Sequence, residues 1–187
     1  CRHDNNYLPG CCYDTTFNQW TFDPFSRSGF SLEESASLVR WHVSDRRFVS
    51  GDASLRFGHL GDTTFDDPGR PVAGLAEGPT TTLGYWAHLV LDVAIYVDVE
   101  DYDEFNPQRD LFQIELVTFP DGAVTVLWDR SVMAPTDYRR WRQWRIPIEG
   151  LRGRQVFLRL RFSSGDAEAN HGEGIYVDDL KIVGVCS

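Results

Sequence analysis

A long run of alternating residues, Tyr85 to Val99, is the feature that most constrains the fold of this chain. Its odd-numbered positions are all apolar, whereas its even-numbered positions include Trp86, His88 and Asp92. Neighbouring side chains of a β-strand point to opposite faces, so this pattern predicts a strand with one core face and one mixed face. The core face of such a strand must be covered by a second layer, which favours a sandwich.

Shorter apolar runs separated by turn residues predict the remaining strands. They lie at 30–32, 38–43, 53–57, 111–119, 123–128, 144–148, 155–162 and 175–185. Residues 62–78 predict a turn-rich loop, and residues 31–40 have room for one short helical turn. This spacing, with an aromatic content of 13%, predicts an all-β fold, a two-sheet antiparallel jelly-roll β-sandwich. We expect the sandwich at residues 17–187 and a cysteine-containing lead or linker at 1–16.

The four cysteines lie near the two ends of the chain, at Cys1, Cys11, Cys12 and Cys186. This placement predicts disulfides, because a structural zinc site usually shows closely spaced cysteine pairs. Adjacent cysteines seldom bond to each other, so two pairings stay open: Cys1–Cys11 with Cys12–Cys186, or Cys1–Cys12 with Cys11–Cys186. Either pairing joins the termini and implies an oxidising compartment, which predicts a secreted or cell-surface protein. A rival interpretation makes Cys1 the lipid-modified start of a bacterial lipoprotein.

The formal net charge of −10 bears on the partners of this chain. No overall positive field is present to attract phosphates, so we expect no nucleic-acid partner. The sequence has no run of about 20 apolar residues, and we expect no membrane insertion. The acidity permits divalent cations, although it serves solubility equally well.

Two adjacent carboxylates, Asp178 and Asp179, are embedded in the apolar residues of the last strand. One of them should face inward or into a loop junction, where an unpaired charge is costly. A calcium ion, which takes about six to eight oxygen ligands, is the simplest compensation. Further candidate ligands lie in or beside predicted loops: Asp52, Asp66, Asp67, Asp103 and Asn170. The alternative is that these side chains cap turns.

An aromatic and basic segment, residues 138–145, supplies the candidate ligand-binding surface. In a strand that begins near Arg142, Trp141 and Arg145 face outward. An exposed tryptophan beside arginines can stack on a sugar ring or bind an acidic sugar. We predict a ligand site from Trp141, Arg139 and Arg145 with the even face of the long strand, namely Trp86, His88 and Tyr96. The plainer interpretation is a solvated sheet face on which arginines cover half-buried aromatic rings.

Several short motifs follow one another along the chain. They are Gly51-Asp52-Ala53-Ser54-Leu55-Arg56-Phe57-Gly58, residues 112–116, Val126-Leu127-Trp128, residues 153–162, and Asn170 and Gly174 with Val177-Asp178-Asp179-Leu180. Over residues 17–185 this order resembles MAM domains, reelin-type repeats and the jelly-roll modules appended to secreted bacterial peptidases. The resemblance implies an adhesion or ligand-binding module, often with a structural calcium. Cys12 and Cys186 fall where MAM domains place a terminal disulfide, whereas the internal MAM cysteine pair is absent.

The leading expectation is therefore a non-catalytic extracellular module of a larger secreted or surface protein, stabilised by calcium, that binds a glycan or a protein. The alternative is a small polysaccharide-acting enzyme, a glycoside hydrolase or lyase, because Asp98 and Glu100 share a strand face. The alternating acid pattern of laminarinase-type enzymes is not reproduced, and motifs of serine hydrolases or zinc proteases are absent. A structural spacer without a ligand is the third interpretation.

Overall fold

The computed structural model describes residues 15–22, 26–33, 37–85, 88–100, 105, 109–168 and 170–185. Within these ranges the chain forms twelve β-strands and two single-turn 3₁₀ helices, Arg130–Val132 and Pro135–Asp137. The strands are β1 (Thr15–Trp20), β2 (Ser31–Leu32), β3 (Val39–Ser44), β4 (Ser54–His59), β5 (Ala73–Glu77), β6 (Thr81–Thr82), β7 (His88–Asp98), β8 (Leu111–Phe119), β9 (Val124–Asp129), β10 (Arg142–Ile148), β11 (Gln155–Ser163) and β12 (Gly174–Val185). Neither helix, nor any other helix in the described ranges, is long and apolar enough to cross a membrane.

The strands form two antiparallel six-stranded sheets. The first has the order β10-β7-β12-β4-β3, with β1 paired to β12, and the second has the order β2-β5-β11-β8-β9, with β6 paired to β11. The expected two-sheet antiparallel sandwich is confirmed. The first and last described strands are neighbours, as a disulfide between the chain ends requires. The four cysteines lie outside the described residues, so their pairing stays a prediction.

The alternation of β7 is confirmed. Its odd-numbered side chains, from Leu89 to Val97, are at most 2% exposed and face the second sheet. The even-numbered side chains point to the outer face of the first sheet, where His88 is exposed and Asp92 half-buried. Each fully buried aliphatic chain on the core face contributes about 1.5–3 kcal/mol of transfer free energy, which fixes the register of this strand.

Aromatic rings join the two sheets across the interior. The centroids of Phe57, on the first sheet, and Phe162, on the second, lie 4.4 Å apart. Trp41 contacts both sheets, since its ring lies 5.5 Å from Phe57 and 6.1 Å from Phe112. These ring contacts tie the two sheets together through the middle of the core.

The sequence prediction missed β5, because Ala73–Glu77 has few residues that favour strands. The strand forms through its neighbours, since it pairs with β11 on one side and β2 on the other. At Gly74 a β-carbon would lie 2.9 Å from the Phe57 ring, and the Gly74 carbonyl accepts a hydrogen bond from the Trp41 indole at 3.1 Å. The glycine therefore makes room for the aromatic interior.

A β-bulge interrupts β12 at the two adjacent aspartates. Against β7, the register passes from Asp178 opposite Ala94 to Lys181 opposite Asp92, so β12 holds one extra residue in this interval. Asp179 supplies it, with a left-handed φ of +50°. Because of the bulge, neither aspartate points into the space between the sheets. We had expected one of them to face inward or into a loop junction, and the structure shows the second, because Asp178 is buried against the β3–β4 loop.

Candidate functional site

The outward side chains of β7 and β10 run side by side on the outer face of the first sheet. We call this surface the outer strip. Register places Gln143 opposite Ala94 and Arg145 opposite Asp92, and Trp141 precedes β10 at the same face. The strip therefore carries five of the predicted ligand-site residues on one face, with Arg139, Trp141 and Tyr96 at one end, Arg145 in the middle and His88 at the other end. Trp86 lies outside the described residues.

Trp141 is half-buried on the outer strip. Its ring centroid lies 5.9 Å from that of Tyr96 and 6.5 Å from that of Tyr176, and the two tyrosines meet edge to face at 5.6 Å. Such tilted contacts hold an indole in a fixed orientation. The predicted outward orientation of Trp141 is thus confirmed, with a supported and partly exposed ring.

Tyr96 lies on the predicted face, but its ring is almost fully covered. Its side chain is only 5% exposed, and the guanidinium carbon of Arg47 lies 4.4 Å from its ring centroid. Burial accordingly raises the pKa of Tyr96 above its usual value of 10.0. A ring covered in this way offers little surface to a ligand, and direct contact between Tyr96 and a ligand stays a prediction. In the structure Tyr96 supports Trp141.

Arg47 belongs to the β3–β4 loop and is fastened to the loop before β12. Its Nε and Nη2 donate to the two carboxylate oxygens of Glu173 at 2.8 and 2.6 Å, and the Tyr176 hydroxyl donates to Glu173 Oε2 at 3.0 Å. These bonds hold the pKa of Glu173 below its ordinary value of 4.5. This ion pair, which we call the Arg47–Glu173 clamp, holds the β3–β4 loop over the Tyr96 ring. Tyr96 and Tyr176 together form the aromatic row.

The predicted arginines of the strip are already paired with carboxylates. Arg139 Nε lies 2.9 Å from Asp98 Oδ1, and Arg145 Nε lies 3.4 Å from Asp92 Oδ1. The second oxygen of Asp98 accepts the backbone N–H of Glu173 at 3.0 Å. Both oxygens of Asp98 are therefore engaged in holding the local structure.

Two depressions lie along the outer strip. One, of about 450 Å³, is the trough; it is lined by Gln19, Asp92, Gln143, Trp144, Arg145, Asp179 and Lys181. The other, of about 700 Å³, lies at the His88 end and is lined by His88, Leu89, Val90, Pro147, Ile148, Glu149, Gly150 and Arg152. Both volumes fall in the range of about 300–1,000 Å³ found for ligand sites. The strip thus has an aromatic end at Trp141 and a polar middle at the trough.

Sequence reasoning missed five of the trough residues as site residues, namely Gln19, Asp92, Gln143, Trp144 and Lys181. The available signals were an acid on the mixed face of an apolar strand and the only lysine of the chain. Neither signal reveals that Lys181 and Asp92, 89 positions apart in the printed numbering, face each other across two strands. The two residues meet because β7 and β12 are neighbours in the first sheet.

The charge of Asp178 is compensated by backbone donors. The side chain is 1% exposed, and its Oδ2 accepts the N–H groups of Val49 and Ser50 at 2.7 and 3.2 Å, while Oδ1 accepts that of Asp179 at 2.8 Å. Asp179 accepts the hydroxyl of Ser50. Burial raises the pKa of Asp178 above 3.8, and these amides oppose the shift. The pair thus fastens the β3–β4 loop to the outer face.

The remaining predicted calcium ligands are dispersed. Asp52 is exposed in the β3–β4 loop, whereas Asp66 and Asp67 lie in the loop at the opposite end of β4, roughly 20 Å away for a six-residue strand. Asp67 accepts the Ser37 hydroxyl at 2.9 Å, and buried Asn170 donates to the Asp166 carbonyl at 3.3 Å. Asp103 lies outside the described residues. Within the described ranges no group of three or more His, Cys, Asp or Glu side chains is placed to hold a metal, and calcium binding stays a prediction.

Asp110 is a second buried carboxylate, at the loop end of β8. It is 1% exposed, and one oxygen accepts the backbone N–H of Glu100 at 2.9 Å. Burial raises its pKa to about 7, although the nearby Arg130 opposes the shift. This group therefore titrates in the neutral range.

Two solved structures are similar to this sandwich. A structure described as the basis for the promiscuous specificity of carbohydrate-binding modules from the β-sandwich superfamily gives a TM-score of 0.50 at 14% identity, covering 87% of this chain and 60% of that one. The K1 cleaved adhesin domain of Lys-gingipain from Porphyromonas gingivalis W83 gives a TM-score of 0.54 at 11% identity, covering 90% and 97%. This chain thus spans less than two thirds of the first structure.

No protein-family model matches the chain, and no curated protein matches it. At such low identities the structural likeness shows the β-sandwich fold alone. The resemblance to MAM domains and reelin-type repeats stays a prediction.

Proposed function

We propose that this protein is a non-catalytic module that binds glycans through its outer strip. The observation that carries the proposal is the placement of Trp141, a half-buried ring held against Tyr96 on a face that continues into the polar trough. An indole plane beside hydrogen-bonding side chains can stack on a pyranose ring and bind its hydroxyl groups.

Two further observations support this proposal. One structure of similar fold is that of carbohydrate-binding modules. In addition, Asp98, a carboxylate that an enzyme on this face would use, is bonded to Arg139 and to the backbone of Glu173. The terminal cysteines favour a secreted or cell-surface setting within a larger protein.

The proposal is tested with a panel of soluble polysaccharides, by affinity electrophoresis for binding and by reducing-end release for turnover. We expect retardation by at least one glycan and no new reducing ends. Trp141→Ala should weaken that binding at least about tenfold, the size of effect usual for a central aromatic contact. Phe119→Ala is the matched control, because Phe119 is an aromatic residue 53% exposed on the second sheet.

Since Trp141 is half-buried, thermal unfolding of each variant checks that the fold is kept. Gln143→Ala changes an exposed residue on the same strip and should also weaken binding, which tests the site independently of Trp141. Binding that survives both strip variants and disappears in Phe119→Ala would move the site to the second sheet. Absence of binding across the panel, or turnover, would reject the proposal.

A further inference from the structure

A polar row crosses four strands at the trough. Register aligns Gln19 of β1 with Lys181 of β12, Lys181 with Asp92 of β7, and Asp92 with Arg145 of β10. All four side chains line the trough. The row therefore presents hydrogen-bond donors and acceptors side by side in the trough.

Asp92 neutralises the cations of this row. Its Oδ1 lies 3.4 Å from Arg145 Nε, and its Oδ2 lies 3.8 Å from Lys181 Nζ, so each carboxylate oxygen faces one cation. Asp92 is itself only about a fifth exposed, with a side-chain exposure of 22%. A carboxylate thus occupies the position between the two cations where an anionic ligand group would bind.

The same pairing continues along the strip. Arg139 faces Asp98 at 2.9 Å. Asp179 adds a further carboxylate to the trough, and the whole chain carries a formal charge of −10. An anionic sugar approaching this surface would meet carboxylates at short range and a negative field at long range.

We infer that the trough is a subsite for an uncharged sugar residue and that it discriminates against uronic and sulfated sugars. This inference rests on the proposed glycan-binding function and gives its ligand class. A neutral pyranose offers hydroxyl groups that donate to Asp92 and Asp179 and accept from Lys181 and Gln143. Discrimination comes from Asp92, which repels an anion and leaves the adjacent cations neutralised.

The test compares retardation by neutral polysaccharides with retardation by polygalacturonate and heparin, at low and moderate salt. Wild type should bind a neutral glycan with little dependence on salt and should bind the anionic polymers at least about tenfold more weakly. Asp92→Asn keeps the shape of the side chain and removes its charge. This variant should gain at least about tenfold in binding of the anionic polymers, and the gain should vanish with added salt because it depends on Lys181 and Arg145.

Asp121→Asn is the matched control, since it removes the carboxylate partner of Arg154, 2.8 Å away, on the second sheet. It changes the net charge equally but should produce no gain. An equal gain in both variants, or none in Asp92→Asn, would overturn the role of Asp92. Wild type that prefers the anionic polymers overturns the inference but leaves glycan binding intact, whereas wild type that binds no glycan removes both.

Discussion

The guanidinium carbon of Arg47 lies 4.4 Å from the centroid of the Tyr96 ring, and the same guanidinium forms a two-point ion pair with Glu173. The β3–β4 loop thereby covers the aromatic row from one side, while Trp141 borders the row from the other. The packing of the rings on the strip and the integrity of the loop are therefore linked through the carboxylate of Glu173.

Glu173→Gln should destabilise the protein near neutral pH and have little effect in acid. The pKa of Glu173 is lower in the folded state, so its ionised form stabilises the fold above about pH 4.5, and this contribution is lost as the pH falls through the folded-state pKa. Urea unfolding of wild type and variant at about pH 7 and pH 3 measures the difference. Glu149→Gln serves as the exposed control on the same sheet. If wild type and Glu173→Gln differ in free energy of unfolding by the same amount at both pH values, the ionised Glu173 does not stabilise the fold through Arg47.

Asp110→Asn should reduce the loss of stability that we expect as the pH rises from acid to neutral. Because burial raises the folded-state pKa of Asp110 from 3.8 to about 7, the folded state binds the proton more tightly, and stability falls as the pH rises through that interval. Relative to wild type, the free energy of unfolding of Asp110→Asn should therefore be higher at about pH 8 than at about pH 4.5, by on the order of a few kcal/mol. Unfolding of both proteins at these two pH values measures it. Parallel pH profiles would show that Asp110 ionises without cost in the fold, for example through Arg130.

Asp178→Ala should release the β3–β4 loop. The substitution leaves the amides of Val49 and Ser50 without their acceptor, at about 1–3 kcal/mol for each donor that stays buried. Hydrogen exchange followed residue by residue should show loss of protection at these two amides. Asp52→Ala, an exposed change in the same loop, should leave them protected. Full protection in Asp178→Ala would mean that other contacts hold the loop.

Calcium binding, expected from the sequence, can be tested apart from Asp178. Since backbone donors already compensate Asp178, we expect the shift in melting temperature between calcium and a chelator to be the same in wild type and in Asp178→Asn. A shift present in wild type and abolished in the variant would contradict this expectation and place the ion at Asp178. Thermal unfolding in both buffers provides the measurement.

The sequence was sufficient for the features that depend on local alternation. The Tyr85–Val99 pattern predicted the core face of β7, and the strand near Arg142 predicted the outward side of Trp141. It was insufficient where distant segments decide: β5 forms because β11 and β2 pair with it. Tyr96 has the pattern of an outward residue, yet Arg47, 49 positions away in the printed numbering, covers it.

The same limit applies to the last strand. Two consecutive aspartates imply an inward charge only if the strand is regular, and the bulge removes that condition. Backbone amides from a loop more than a hundred positions earlier then supply the compensation that we had assigned to a cation. No local pattern in the chain encodes either fact.

The surplus residue at position 179 has a consequence for engineering. Removing Asp179 alone would let β12 pair regularly with β7, with every residue after it on the side of the sheet that it occupies now. The hydrophobic interior thus places no demand on this position, and a chain shortened by one here should still fold. What the shortening would cost is the contacts of Asp179 with Asp178 and Ser50, so the inserted residue serves the attachment of the β3–β4 loop and not the packing of the interior.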